Sequence, residues 1–239
     1  IIYFYRLHNL KFQMFKISPF LSVFYPESCK SCQDILVKGE SFVCLHCELN
    51  FGEVMHTEYA FSEVDQLFWG KARIESAVAV FQFLKQEKLQ SIIHEFKYKG
   101  NAGLAVRMGE IIGHNSDLLS QDIDAVSFVP MHPEKEKKRG YNQAQKLAEG
   151  FSTVTGITLI PLLKRVEAAE TQTDKDVFER FENMENTFAE VNLSKEIKHV
   201  VLIDDVITTG ATLAACASQL TEKGIKVSLV CLAYRGLNF

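Results

Sequence analysis

The feature that most constrains the fold of this 239-residue chain is an alternation of aliphatic strands with amphipathic helices, which begins near residue 100. The runs "VVLI" at 200–203 and "KVSLVCLAY" at 226–234 are almost continuously apolar, and the helical pattern "TLAACASQLTEKG" separates them. Continuous aliphatic strands are buried on both faces, and helices that join them cover those faces. The sequence therefore predicts an α/β fold with a doubly wound parallel sheet.

Earlier segments extend this alternation. Patterns typical of strands lie at 74–83 and in "DAVSFVPM" at 124–131, and helical patterns lie at 87–100, 101–114 and 142–156. We divide the chain into an N-terminal segment (1–26), a four-cysteine module (27–52), a connecting strand and helix (53–98) and the α/β domain (99–239). Met14 is a candidate natural start, in which case residues 1–13 are not native.

Charge limits how the chain can bind anions. The formal net charge is -4 and the pI is about 6.0, so binding of nucleic acid or phosphate requires local basic patches. No run of 18 uncharged apolar residues is present, and charged residues interrupt the apolar N-terminal segment. We expect a soluble, cytoplasmic protein without a membrane span.

Two adjacent carboxylates, Asp204 and Asp205, follow the aliphatic run in "VVLIDDVITTGAT" at 200–212. In an open parallel sheet, ligands bind beyond the carboxyl ends of the strands. Adjacent ionised carboxylates repel each other and lose hydration there unless they have partners, such as sugar hydroxyls, a divalent metal, or Lys and Arg groups. The pair therefore predicts a ligand site at this edge.

The residues after the carboxylates favour an anion. Gly210 allows a tight turn, and threonine hydroxyls lie beside backbone N–H groups where the next helix begins. Vicinal hydroxyls close to a phosphate, as in ribose 5-phosphate, match this combination, whereas a simple helix start capped by Asp and Thr is the alternative. The candidate loop residues are Ile207, Thr208, Thr209, Gly210, Ala211 and Thr212.

Four cysteines define the N-terminal module. Cys29, Cys32, Cys44 and Cys47 form two Cys-x-x-Cys pairs separated by eleven residues, which is the spacing of a four-thiolate structural zinc site. Zinc binding would supply roughly 10 kcal/mol of folding free energy to a module with little core of its own. A redox pair or free thiols are the alternative.

A basic stretch follows the strand at 124–131. The sequence "VPMHPEKEKKRGYNQ" at 129–143 places lysines and an arginine in a predicted loop at the same sheet edge as Asp204, which suggests a second anion site beside the first. A solvated basic loop is the alternative for the lysines. His132 is either a hydrogen-bonding group of the pocket or an ordinary loop residue.

These motifs carry two resemblances. The stretch 200–212 resembles the phosphoribosyl-diphosphate (PRPP) motif of type I phosphoribosyltransferases, and the order of motifs along 17–235 resembles the ComF family of competence-associated proteins. The resemblance implies that Asp204 and Asp205 face the ribose hydroxyls, that the loop 207–212 binds the 5-phosphate, and that Mg²⁺ accompanies PRPP. It assigns the diphosphate to Lys137, Lys138, Arg139, Gly140, Asn142 and Gln143.

The polar segment 164–190 falls where type I enzymes carry a flexible lid. The residues that resemble the family's lid are Gln172, Thr173, Arg180, Glu182 and Asn183. The segment departs from the pattern because it is strongly acidic, with Asp174 and Asp176 at positions that are usually small, basic or hydroxylic. An acidic lid is expected to weaken the binding of PRPP or nucleic acid.

Two functions follow as hypotheses. The first is a PRPP-dependent phosphoribosyltransferase that releases diphosphate, with an unknown acceptor, in nucleotide salvage or DNA uptake. The second is a non-catalytic adaptor that binds PRPP or single-stranded DNA and works with DNA-uptake proteins. Basic residues interleaved with Phe96, Tyr98 and Tyr141 would form its strand-binding groove; a solvated face beside a diphosphate site is the alternative. These basic residues are Lys97, Lys99, Lys135, Lys137, Lys138 and Arg139.

Overall fold

A computed structural model describes residues 26–49, 63–82, 87–114, 122–166, 188–191 and 196–235. The helices in these residues are α1 (Leu45–Leu49), α2 (Glu63–Gln66), α3 (Glu87–Tyr98), α4 (Ala102–His114), α5 (Pro133–Arg139), α6 (Gln143–Thr155) and α7 (Ala211–Thr221). The strands are β1 (Ser76–Gln82), β2 (Ala125–Phe128), β3 (Leu163–Arg165), β4 (Phe188–Glu190), β5 (His199–Ile207) and β6 (Lys226–Tyr234).

A parallel sheet of four strands, in the order β1-β6-β5-β2, organises the chain. Ala125 of β2 lies opposite Val200 of β5, which lies opposite Val227 of β6. This sheet confirms the predicted parallel α/β fold. Strand β1, which the sequence analysis placed in a connecting segment, is the edge strand of the same sheet and pairs with β6.

Helices cover both faces of this sheet. Val201 and Ile203 of β5 pack in a core with α3, α4 and α6, while Val200 and Leu202 pack on the opposite face with α7. Because consecutive strand residues point to opposite faces, burial on both sides requires an apolar side chain at every position. That requirement explains the continuous aliphatic run in the sequence. Among the described helices, none is long and apolar enough to cross a membrane.

Glycines permit a close approach of α4 and α6. A Cβ atom at Gly150 would lie 2.0 Å from the carbonyl oxygen of Val106, and one at Gly109 would lie 2.0 Å from that of Leu147. No side chain fits in so short a gap, so both positions require glycine. The close contact fixes α6, which begins beside the basic stretch, against the body of the domain.

The four-cysteine module packs directly on the domain. Cys29, Cys44 and Cys47 are buried in the same core cluster as residues of α3 and α4. Arg107 of α4 donates to both carboxylate oxygens of Glu48, at 2.9 and 2.8 Å. The module is therefore packed against α3 and α4.

The basic stretch, predicted as a loop, is the helix α5. Pro133 occupies its first turn, His132 caps its N-terminus by accepting from the backbone N–H of Glu134, and Gly140 ends it with a left-handed φ of 86°. Two glutamates lie in the first turn, and three of the four basic residues lie in the last, which is the arrangement that the helix dipole favours. Capping and charge order stabilise a helix that lacks an apolar face. His132 thus acts as a cap.

Candidate functional site

The two adjacent carboxylates lie at the carboxyl edge of the sheet, near the end of β5. The backbone N–H of Asp205 donates to Oδ1 of Asp204 at 2.8 Å, and Oδ2 of Asp205 lies 2.8 Å from Nζ of Lys97. Lys97 comes from the last turn of α3. A lysine ammonium is one of the partners that the sequence predicted for this pair, and here it bonds only to the second carboxylate.

Asp204 has an unusual protonation equilibrium. Burial, followed by repulsion from the Asp205 carboxylate, raises the pKa of Asp204 from 3.8 to about 7, while Lys97 opposes this change. Near neutral pH, Asp204 is therefore present both as a neutral carboxylic acid and as a carboxylate anion. In its neutral form it donates a hydrogen bond, and in its anionic form it accepts from hydroxyl groups.

The predicted phosphate loop surrounds a small depression of about 40 Å³, lined by Asp204 and by residues 206–213. Gly210 has a left-handed φ of 74° and precedes the first turn of α7. The N–H of Ala211 lies 3.4 Å from Oγ1 of Thr209. A helix N-terminus with free N–H groups and hydroxyls attracts anions. All six predicted loop residues thus line one hollow at the start of α7.

The segment after α2 supports this loop. The Phe68 ring lies 3.1 Å from where a Cβ of Gly210 would be, so a larger residue there would require the ring to shift by a few tenths of an ångström, in addition to the strain of the left-handed φ. Nζ of Lys71 donates to the carbonyl oxygen of Thr209 at 3.0 Å. Lys71 therefore brings a positive charge to the loop. The sequence analysis missed it because it lies in a segment without periodicity or a motif.

A second, basic cavity of about 320 Å³ lies next to the carboxylates. Its lining residues are Lys97, Tyr98, Gly100, Lys135, Lys138 and Arg139. The guanidinium of Arg139 lies over the Tyr98 ring, 5.4 Å from its centroid. Of the predicted diphosphate residues, Lys138 and Arg139 line this cavity, whereas Lys137 is exposed and is not among its lining residues.

Asn142 and Gln143, two more predicted diphosphate residues, do not line the cavity but hold its neighbours in place. Asn142 caps α6 and donates to the carbonyl oxygen of Val129 at 2.9 Å, and Gln143 accepts from Arg139 at 2.7 Å. Both side chains are nearly inaccessible, at 3% and 1%. These contacts position Arg139 and the start of α6. Gly140, the C-cap of α5, provides the turn between the two helices.

Lys97 connects the two parts of the site. Its ammonium bonds to Asp205, and the same residue lines the basic cavity. The sequence analysis considered Lys97 only for a DNA-binding groove.

The four cysteines converge, as predicted. Their Sγ atoms all lie within 4.8 Å of one another, and those of Cys32 and Cys44 are 3.7 Å apart. A tetrahedral zinc site with Zn–S bonds of about 2.3 Å separates its sulfurs by about 3.8 Å. The four thiols could therefore bind a metal ion such as zinc.

Backbone N–H groups favour the thiolate form of one of these cysteines, Cys29, whereas the pKa values of the Cys32 and Cys44 thiols are raised above their ordinary value, that of Cys44 chiefly by burial. Burial raises the pKa of Cys29, but hydrogen bonds from the backbone of Cys32, Cys44 and Ser31 outweigh it and lower the pKa to about 7. The N–H groups of Ser31 and Cys44 each lie 3.4 Å from the Cys29 sulfur. Because a metal binds the thiolate form, a lowered pKa favours binding.

The predicted lid residues lie outside the described residues. They are Gln172, Thr173, Arg180, Glu182 and Asn183, all within 167–187. The strands that flank this segment, β3 and β4, pair in antiparallel fashion, with Arg165 opposite Phe188. The described residues on either side of this segment therefore lie close together.

The fold and the site together define a class: an α/β protein with a parallel sheet, two carboxylates at the carboxyl edge of the sheet and a four-cysteine module packed against it. No family model matches the chain. Competence protein ComFC of Bacillus subtilis is 27% identical over 206 residues, which cover 84% of this chain and 80% of that protein. This relative and the two described next confirm the predicted resemblance to competence proteins of the ComF type.

The other two relatives match over shorter regions. Competence protein F of Haemophilus influenzae is 34% identical over 106 residues, which cover 43% of this chain and 46% of that protein. DNA utilization protein YhgH of Salmonella typhimurium is 27% identical over 142 residues, which cover 57% of this chain and 62% of that protein. The matched regions of both are thus less than two thirds of the relative's length.

Solved structures with a similar arrangement include phosphoribosyltransferases. Adenine phosphoribosyltransferase of Leishmania tarentolae is 12% identical, with a TM-score of 0.37, over 72% of this chain and 88% of that one. An allosteric regulatory enzyme of purine biosynthesis is 17% identical, with a TM-score of 0.41, over 58% of this chain and 30% of that one. The fold assignment itself rests on the order and direction of the strands.

Proposed function

We propose that this chain binds PRPP together with Mg²⁺ and transfers its phosphoribosyl group, with release of diphosphate, in DNA uptake or nucleotide salvage. One observation carries the proposal: two carboxylates, an anion-binding loop and a basic cavity are contiguous at one sheet edge. A sugar with vicinal hydroxyls and phosphates at both ends has matching chemistry. The names of the relatives, which refer to competence and DNA utilization, support the role in DNA uptake.

In this proposal each part of PRPP has its own group of residues. Asp204 and Asp205 accept hydrogen bonds from the ribose hydroxyls. The 5-phosphate lies in the loop 207–212, where the α7 N-terminus and Lys71 favour an anion. The diphosphate lies in the cavity of Lys135, Lys138 and Arg139. Asp204 and Asp205 are the residues that would hold Mg²⁺ together with the substrate, and the ion would supply positive charge that balances the charge of the diphosphate.

The chain's own charges would then act on the transition state. Positive charge develops on the ribose as the bond from C1 to the diphosphate oxygen breaks, and carboxylates beside the ribose favour that charge. The cations of the basic cavity favour the negative charge that the departing diphosphate gains. Both effects are electrostatic and need no nucleophilic side chain. The acceptor supplies the electron pair of the new bond.

Lys97 would change partners when PRPP binds. In the ligand-free protein its ammonium neutralises Asp205 at 2.8 Å, which lowers the cost of holding two adjacent carboxylates. Ribose hydroxyls compete for the same carboxylate oxygens. Since Lys97 also lines the basic cavity, it can turn from Asp205 to the diphosphate without leaving the site.

Zinc bound by the four cysteines would have a structural role and no part in the chemistry. The cluster is part of the core with α3, and α3 carries Lys97 and Tyr98 into the site. A metal that holds the module together therefore also holds one wall of the site.

Calorimetric titration with PRPP and Mg²⁺ tests the proposal. We expect wild-type protein to bind and the Asp204→Asn/Asp205→Asn variant to lose binding by a hundredfold or more. Asp124→Asn is the matched control because this carboxylate lies at the opposite edge of the sheet, where it accepts from the N–H groups of Lys198 and His199. Equal PRPP binding by the double variant and wild type would refute the ribose assignment. Release of diphosphate with a bound acceptor then tests for turnover.

A second candidate function, binding of single-stranded DNA without catalysis, is favoured by one surface feature. Tyr98 is 67% exposed beside Arg139 and the lysines of the basic cavity, as in a site where a base stacks on an aromatic ring. Phe96 does not contribute to such a groove because it is fully buried. Binding of a thymidine oligonucleotide that PRPP does not displace, and that Tyr98→Ala weakens, would support this function instead.

A further inference from the structure

A third cavity, of about 840 Å³, lies between the four-cysteine module, α3 and the carboxyl ends of β5 and β6. Its size falls in the range of small-molecule sites. The module contributes Lys30 and Gln33 to its lining, and Asp205 and Thr208 lie where it meets the proposed ribose site. We name this cavity the module cleft.

The charges of the module cleft do not balance. Its two carboxylates are already paired, Asp205 with Lys97 at 2.8 Å and Glu95 with Lys99 at 2.6 Å. The cleft has two further cations, Lys30 and Arg235. Within the described part of the chain, neither has a carboxylate within ion-pair distance. Two unmatched cations in one cleft select an anionic ligand.

The cleft also has an aromatic wall. His94 and Tyr98 are one turn apart on α3, with ring centroids 5.0 Å apart, and both side chains are exposed. An exposed aromatic pair offers a stacking surface for a planar ring. Lys30 and Arg235 approach from other elements, the cysteine module and the end of β6.

We propose that the module cleft binds the acceptor of the phosphoribosyl group, and that this acceptor is a planar heterocycle that carries a carboxylate or phosphate. This inference rests on the proposed function. The ring would stack on His94 and Tyr98, while Lys30 and Arg235 would bind its anionic group. A ring nitrogen lone pair forms the bond to C1 of the ribose as the C1–O bond breaks and its electrons leave with diphosphate. A ring N–H loses its proton to water in this step, whereas a pyridine-type nitrogen carries no proton and becomes a cationic ring nitrogen.

Matched ring pairs test the proposal by ligand-observed NMR and calorimetry. Orotate is compared with uracil and nicotinate with nicotinamide, each with and without PRPP and Mg²⁺. We expect at least one ring acid to bind tenfold or more tightly than its neutral partner. The Lys30→Gln/Arg235→Gln variant should lose that preference while its affinity for PRPP changes less than twofold. Lys38→Gln, a change of an exposed lysine outside the cleft, is the control.

The outcomes separate the two proposals. If PRPP binds but no ring acid binds better than its neutral partner, the acceptor site is wrong and the PRPP site stands. If PRPP does not bind but ring acids bind through Lys30 and Arg235, the cleft is an anion site and the transferase function is wrong. If the double variant weakens only binding of a thymidine oligonucleotide, the cleft is a strand-binding groove and the acceptor proposal is overturned.

Discussion

Replacing Asp204 with asparagine should stabilise the ligand-free protein at alkaline pH even though it removes a residue of the proposed site. Moving the carboxyl pKa from 3.8 to about 7 costs the ionised form up to about 4 kcal/mol, at ~1.4 kcal/mol per pKa unit. Asparagine has nearly the same shape and carries no charge. Its side-chain oxygen can still accept from the N–H of Asp205, so the local structure is kept.

The sign of the pH dependence follows from proton binding. Between pH 4 and 7 the folded protein holds a proton on Asp204 that the unfolded chain has released, so rising pH in this range destabilises wild type. Below pH 4 the carboxyl is protonated in both states and contributes no difference. The free energy of unfolding of Asp204→Asn relative to wild type should therefore rise from pH 4 to 7 and stay constant above it.

Urea unfolding across this pH range measures the effect, and Asp124→Asn provides a control of opposite sign. The N–H groups of Lys198 and His199 lower the pKa of Asp124, so its ionised form stabilises the fold and this contribution is lost as pH falls through the lowered pKa. Asp124→Asn should thus destabilise the protein at neutral pH and matter less in acid. A difference between Asp204→Asn and wild type that does not change with pH would refute the burial argument.

Two further changes test the packing that holds the site. Gly150→Ala should destabilise the protein by about 3 kcal/mol or more because its Cβ would collide with the carbonyl oxygen of Val106. Urea unfolding measures this loss of stability. The control Thr153→Ala changes an exposed residue of the same helix and should have little effect. Cys44→Ser should abolish binding of about one zinc ion per chain, measured by atomic absorption, and lower the unfolding midpoint. Retention of zinc by Cys44→Ser would contradict a four-thiolate site.

The cysteine module lines the module cleft and is also part of the fold. Lys30 and Gln33 border the module cleft, and Arg107 fixes the module to α4 through Glu48. Loss of the Arg107 contact would therefore change the geometry of the cleft before it affects the parallel sheet.

Local sequence patterns were sufficient to predict the parallel sheet and the position of its acidic edge. A strand buried on both faces is apolar at almost every position, so the run 200–203 predicted β5, although this strand continues past the first charge, Asp204, to Ile207. The Cys-x-x-Cys pairs were equally informative because two residues between ligands set the geometry of a metal-binding turn. In both cases, the buried strand and the metal-binding turn, residues that are close in the chain determine the structure.

Helix α5 shows where local patterns were misinterpreted. Its sequence has no apolar face, so hydrophobic periodicity predicted a loop. The helix is stabilised by its caps and by the order of its charges, and both are also local. The information was therefore present in "HPEKEKKRG", where Pro follows a capping residue and Gly ends the helix.

The sequence by itself determined which residue types meet at the sheet edge, because strand direction and loop order follow from local patterns. Only the tertiary structure decided which side chains are accessible and with what they pair. Asn142 and Gln143 are buried as supports, Phe96 is core, and Lys97 bonds to Asp205 from 108 residues away in the chain. Such pairings depend on how helices pack across the sheet, and packing is set by the shapes of residues that are distant in sequence.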